Sequence, residues 1–193
     1  MTKTKRILSA ISICAAALAL GACASQKARY VDSAGTETVV SLNKVDIQDF
    51  RAATNALVAD MLQWDAFAGA KKPVVALSRV VNDTSANFDT ALLTNQVQEA
   101  ILKSRKATIS MSMSADRNDD VVRQDVAALG GTKTVVPDLT LIGKISEVAT
   151  NAGGVKQVTY VFQMRLVEAA SGNVVWMNSK EITKQGEKNA VGW

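Results

Sequence analysis

The 193-residue chain contains no histidine. That removes the commonest general base and the commonest metal ligand together. A Ser-His-Asp or Cys-His catalytic site is excluded, and so is a Cys/His zinc site. There are two cysteines, Cys14 and Cys23, and only two prolines. Lys and Arg nowhere form a run interleaved with aromatics, so the electrostatic footprint of a nucleic-acid binder is missing. Long hydrophobic runs are also scarce. The longest, Ile7 to Ala22, has 16 residues, about 24 Å as a helix, short of the ~30 Å hydrocarbon core of a membrane.

That run follows Lys3, Lys5 and Arg6 and ends in Leu20-Gly21-Ala22-Cys23. A basic start, a short apolar core and a small-residue end mark a signal segment that is removed. Small residues at Gly21 and Ala22 let an extended backbone enter a peptidase cleft. Leu20 fills an apolar subsite, and Cys23 offers a thiol for acylation. The stretch resembles a bacterial lipobox, which implies cleavage before Cys23 and lipid on its sulfur. Ala24 stands where an Asp would hold many enteric lipoproteins at the inner membrane, so the implied address is the inner leaflet of the outer membrane, with the protein facing the periplasm. Cleavage takes away Cys14 and three cations, leaving 171 residues with 19 basic and 18 acidic side chains. No intramolecular disulfide remains possible, and the mature chain is near neutral.

Residues 1–22 are thus expected to be signal peptide, 23–42 a flexible tether and 43–193 one globular domain. From Ala24 to Leu42 the residues are mostly small or polar with no hydrophobic period. Those 19 residues reach ~65 Å fully extended and ~24 Å as a coil.

Asp46 is a good N-cap, and the spacing of Ile47, Phe50, Leu57, Val58, Met61 and Leu62 predicts a helix to about Phe67, with Trp64 in the core. Val74 to Val81 is a β-branched run suited to a strand covered on both faces. Asn82-Asp83-Thr84-Ser85 is turn chemistry. Asp89 caps a second helix with Leu93, Val97, Ala100 and Ile101 buried, and Lys103, Arg105 and Lys106 complement the dipole at its end. Ala107 to Ser114 alternates as a half-buried strand. Its serines have no partner base and are read as the outer face of the sheet. Asp116, Asp119 and Asp120 could be read as a cation loop, but the glycine of its sharp turn is absent. They are better read as the start of a third helix ending at Gly130-Gly131. Leu139 to Ile145 is the next strand and Gly153-Gly154 a turn. Val158, Tyr160, Phe162, Met164 and Leu166 form one face of a central strand, and Ser171-Gly172-Asn173 turns it into Val174 to Met177.

Three of these stretches, Pro73 to Thr84, Asp138 to Ile145 and Tyr160 to Trp176, resemble the LpoB-type activators of penicillin-binding proteins over about Asn43 to Thr183. The resemblance implies an α/β (α+β) fold like the TolB N-terminal domain, with an about four-stranded mixed sheet flanked by helices. It also implies a function: a monomeric outer-membrane lipoprotein that catalyses nothing, needs no cofactor or metal, and binds and allosterically activates a class A penicillin-binding protein. The alternative is a structural or secretion component of the CsgG or TolB type, which shares the last hairpin. A hydrolase built on Asp116, Asp119 and Asp120 is the third reading. The mixed-charge stretch Asp116 to Gln124 is a candidate partner surface, more simply explained as a solvated helix face.

Overall fold

A computed structural model of the chain describes residues 29–33, 35, 37–110, 128–130, 137–187 and 191–192. The chain divides into two units, Met1–Gly35 and Thr36–Trp193. In the first, the described residues are exposed apart from half-buried Gly35, whose N–H closes a turn on the Asp32 carbonyl at 2.9 Å. The second carries the fold.

Its elements are β1 (Val40–Ser41), α1 (Ile47–Met61), a 3₁₀ turn (Asp65–Phe67), β2 (Val74–Leu77), β3 (Val81–Asp83), α2 (Thr90–Ser104), β4 (Thr108–Ser110), β5 (Leu139–Ala152), β6 (Val155–Glu168), β7 (Val174–Glu187) and β8 (Val191–Gly192). The main sheet runs β4-β2-β5-β6-β7, with β3 also pairing β5, while β1 and β8 form a separate pair. Strands β2, β3, β4 and β5 are parallel and β5, β6 and β7 antiparallel. The mixed α+β character follows the sequence expectation, and the sheet has six strands rather than about four, with β2 and β3 sharing one side of β5.

Both described helices cover one face. Phe50, Leu57, Val58 and Met61 of α1 and Leu93, Val97 and Ile101 of α2 are buried with Leu141, Ile145, Val158, Tyr160, Phe162, Met164 and Leu166 of the sheet. Phe50 meets Phe162 edge-on at 5.9 Å. The alternation read in β6 is thereby the core face, as expected.

Where the elements end differs from the sequence reading. Helix α1 stops at Met61 rather than Phe67. The chain turns at Leu62, so that Phe67 folds back into the core and Trp64, half-buried, packs against it edge-on at 6.2 Å. The β-branched run from Val74 is interrupted at residues 78–80. Leu77 pairs with Leu141 but Val81 with Lys144, so three residues face two. This slip frees the Val80 N–H, which donates to Thr94 Oγ1 at 3.2 Å, and it lays the Val80 side chain over Gly143. Asn82 and Asp83 belong to β3, and Asn82 Oδ1 accepts the Thr84 N–H at 3.1 Å to start the turn. Strands β5 and β7 run seven and ten residues further than their apolar pattern, to Ala152 and Glu187. The β5–β6 turn uses Gly153 at φ +57° and Gly154 at φ +85°, conformations that suit glycine. Of the strand expected to reach Ser114, Thr108–Ser110 is described, and Met111 to Ser114 lie outside the described residues. The helix expected from Asp116 falls largely outside them too, although Gly130 has the positive φ of a helix end.

Candidate functional site

The sequence-predicted site residues Leu20, Gly21, Ala22 and Cys23 lie outside the described residues, as do Asp116, Asp119, Asp120 and the stretch to Gln124. Among the described residues no group of three His, Cys, Asp or Glu could hold a metal ion. No described helix is long and apolar enough to cross a membrane. Four regions of the second unit concentrate polar chemistry.

The first is buried. Lys184 of β7 projects to the core side at the N-terminus of α1, where only 8% of it is exposed. Its Nζ donates to Asp46 Oδ2 at 2.7 Å and to the carbonyls of Ser41 and Lys44 at 3.1 and 3.0 Å, and it also contacts Asp49 Oδ2. Asp46 and Asp49 form a capping box, with the Asp46 N–H donating to Asp49 Oδ2 at 2.9 Å. Tyr160 lies under the ammonium, 5.6 Å from ring centre to Nζ. Burial pushes its phenol up to about 12, helped by the charges of Glu147, Asp49 and Asp46. A phenol held neutral and a lysine held by two carboxylates are fixed pieces of structure.

The second is a shallow cleft of about 290 Å³ between α1 and α2, lined by Arg51, Thr54, Asn55, Gln96, Glu99 and Lys103 among others. Lys103 holds Glu99 at 2.5 Å one helical turn away. That hydrogen bond and charge lower the Glu99 carboxyl from its ordinary value, with burial opposing and Arg51 assisting. Thr54 Oγ1 and Gln96 Oε1 are buried there without a hydrogen-bond partner. The cleft can hold polar groups but has no nucleophile with a base beside it.

The third is the outer edge of β7, which pairs with no other described strand. It is polar from Asn178 onward apart from Ile182, which packs against the core, and Asn178 Oδ1 accepts the Ser179 N–H at 2.7 Å, occupying one of the edge donors. Such an edge is guarded against strand addition.

The fourth is the end of the sheet where β2 and β4 begin. Val74 pairs with Thr108, and the Thr108 N–H donates to the Pro73 carbonyl at 3.1 Å. Two basic stretches far apart in sequence, Lys71-Lys72 and Arg105-Lys106, are therefore set side by side. The dipole reading of Lys106 has a different helix as its object: its Nζ donates to the carbonyl of Leu62, at the end of α1, at 2.9 Å. Sequence patterning gives no signal for Lys184, because a lysine in a polar stretch of an edge strand reads as solvated. The alignment of the two basic stretches depends on a parallel pairing that periodicity does not reveal.

A family model described as peptidoglycan-synthase activator LpoB matches residues 49–182. No curated protein matches the chain in sequence. Among solved structures it is similar to the C-terminal domain of LpoB from Escherichia coli, at 20% identity and a TM-score of 0.48, over 69% of this chain and 98% of that one. The corresponding domain from Salmonella enterica gives 17% identity and a TM-score of 0.46 over the same shares. The solution structure of E. coli LpoB gives 15% and 0.43, over 84% of this chain and 77% of that one.

Proposed function

The chain belongs to the LpoB family of peptidoglycan-synthase activators, and on that premise we propose that it is an outer-membrane lipoprotein that binds and allosterically activates a class A penicillin-binding protein. The family match over residues 49–182 carries this reading. The lack of any histidine supports action by binding rather than by catalysis.

In this reading residues 1–22 are removed, Cys23 carries lipid, and residues 23–42 tether a domain that faces the periplasm. The last residues of that tether are already engaged: Thr38 and Leu42 are buried, and Val40–Ser41 pair with Val191–Gly192. The anchor confines the domain to the layer in which its partner works, raising their effective concentration without adding contacts. Activation then requires that the domain bind the active conformation of the synthase more tightly than the inactive one, because only differential affinity shifts an equilibrium.

The test is crosslinking of the lipidated protein in cells, followed by identification of what it captures. Recovery of a class A synthase, with faster glycan polymerisation when the purified proteins are mixed, is the expected result. Capture of no synthase, together with an unchanged polymerisation rate, overturns the reading.

A further inference from the structure

We infer that the end of the domain remote from the tether is a binding surface for a carboxylate-bearing polymer, the peptidoglycan itself, through Lys71, Lys72, Arg105 and Lys106. The inference builds on the proposed anchoring at Cys23 and goes beyond it.

Three observations carry it. First, the β2–β4 register brings Lys71-Lys72 alongside Arg105-Lys106, and all four residues are exposed. Among the described residues no ion pair involves Lys71, Lys72 or Arg105. Of the carboxylates at this end, Asp138 accepts the Val74 N–H at 2.8 Å and Glu168 accepts from the Ser171 hydroxyl at 2.5 Å. Helix-dipole complement accounts for cations in and after α2, but it does not account for Lys71 and Lys72, which precede a strand.

Second, the patch lies at the far end of the sheet from the tether. Leu42 and Asn43 contact Tyr160 and Lys156 of β6, and Lys156 pairs with Asn151 of β5. Strand β2, which follows the patch, pairs with the opposite end of β5 at Leu139. Tyr160 pairs with Glu147, so the β5 positions opposite these contacts lie ~27 to ~40 Å from Leu139 at the usual strand rise. A domain anchored through Cys23 can therefore turn this end away from its own membrane.

Third, the composition favours a polyanion over a protein. Three of the four cations are lysines, which specific protein interfaces deplete. The ammonium groups of Lys71 and Lys72 suit repeated carboxylates such as those of peptide-crosslinked glycan, and Lys106, held on the Leu62 carbonyl, adds a fixed positive charge.

The full chain in detergent is incubated with purified peptidoglycan sacculi and sedimented, in parallel with phosphatidylglycerol vesicles and with the immobilised synthase. At low ionic strength it is expected to sediment with sacculi and to be released at about 0.5 M salt, where the screening length falls to ~4 Å. In the variant Lys71→Gln/Lys72→Gln/Arg105→Gly, three exposed contacts worth about twofold each are lost, so affinity drops roughly eightfold. Arg105 has a φ of +59° at the end of α2, so glycine there relieves a left-handed residue and the variant keeps its fold, as its melting temperature will report. Equal sedimentation of variant and wild type overturns the inference. So does tighter binding to the vesicles, or a variant that loses the synthase while keeping the sacculi. Failure of the wild-type chain to bind the synthase is read in its own arm and counts against the activator reading alone.

Discussion

The Lys184 ammonium lies 2.7 Å from the Asp46 carboxylate, across a sequence separation of 138. With Asp49 beside them it is a buried cation shared by two carboxylates, and it ties the last strand of the sheet to the first turn of the first helix. Replacing Lys184 with Met leaves both part-buried carboxylates without their counter-charge. We expect a loss of about 3–5 kcal/mol, measured as a lower urea midpoint. A variant as stable as the wild type would show that the cluster adds nothing to stability.

Edge strand β7 is fastened to α1 a second time. The Trp176 indole N–H and the Asn178 amide both donate to Asp60 Oδ2, at 3.0 and 2.9 Å. Trp176→Phe keeps a ring but drops one donor and should cost about 1 kcal/mol, whereas Asp60→Ala drops both bonds and should cost more. Equal midpoints for the two variants would contradict this.

Stability should also fall at high pH through Tyr160. Its phenol is raised in the folded state from an ordinary value of 10.0 to about 12. Below the lower value both states keep the proton and the contribution is whole. Between the two values only the unfolded chain releases it, so stability is lost as pH climbs through that window. Urea midpoints across this range should decline more steeply for the wild type than for Tyr160→Phe, and parallel declines would refute the assignment.

Gly143 is held free of a side chain by the β2–β3 slip. A Cβ at this position would lie 3.2 Å from Val80 Cγ2, and Val80 is itself buried and bonded to Thr94 through its N–H. Gly143→Ala should therefore destabilise by about 1 kcal/mol or more through overpacking. Adding Val80→Ala should recover part of that loss, a coupling that a double-mutant cycle measures.

At the other end of the chain, Cys23→Ser removes the thiol that the proposed lipidation needs. Palmitate incorporation is expected to disappear and the protein to leave the membrane fraction. Labelling that persists in this variant would rule out Cys23 as the acylated residue.

The sequence made some parts of this fold legible and hid others, for reasons that lie in particular residues. Strand β6 was readable because its five core positions, Val158 to Leu166, alternate with Thr159, Val161, Gln163 and Arg165 and are all buried. Helix α2 was readable because Asp89 caps it through the Ala91 N–H and three of its four expected core residues are buried. The second half of β7 was not, because an edge strand over a helix buries little beyond Lys184 there, and polar residues fill it. The break at residues 78–80 was invisible because Val80 and Val81 resume the β-branched run directly after Ser78 and Arg79. Only the offset against β5 reveals it. The charged clasp and the paired basic stretches arise from tertiary neighbours, which no local period encodes.

The placement of β1 also has a mechanical consequence. If Cys23 is fixed in a membrane and the domain is held elsewhere, tension enters the fold through residues 38–46. There the chain is secured by a two-residue pairing with β8, by buried Leu42 and by the bonds from Lys184. The ladders of β5, β6 and β7, 14 residues in each strand, are loaded only after those holds give way. The short β1–β8 pairing is thus the first joint to meet a pull, and the Lys184 cluster stands behind it as the strain relief of the tethered molecule.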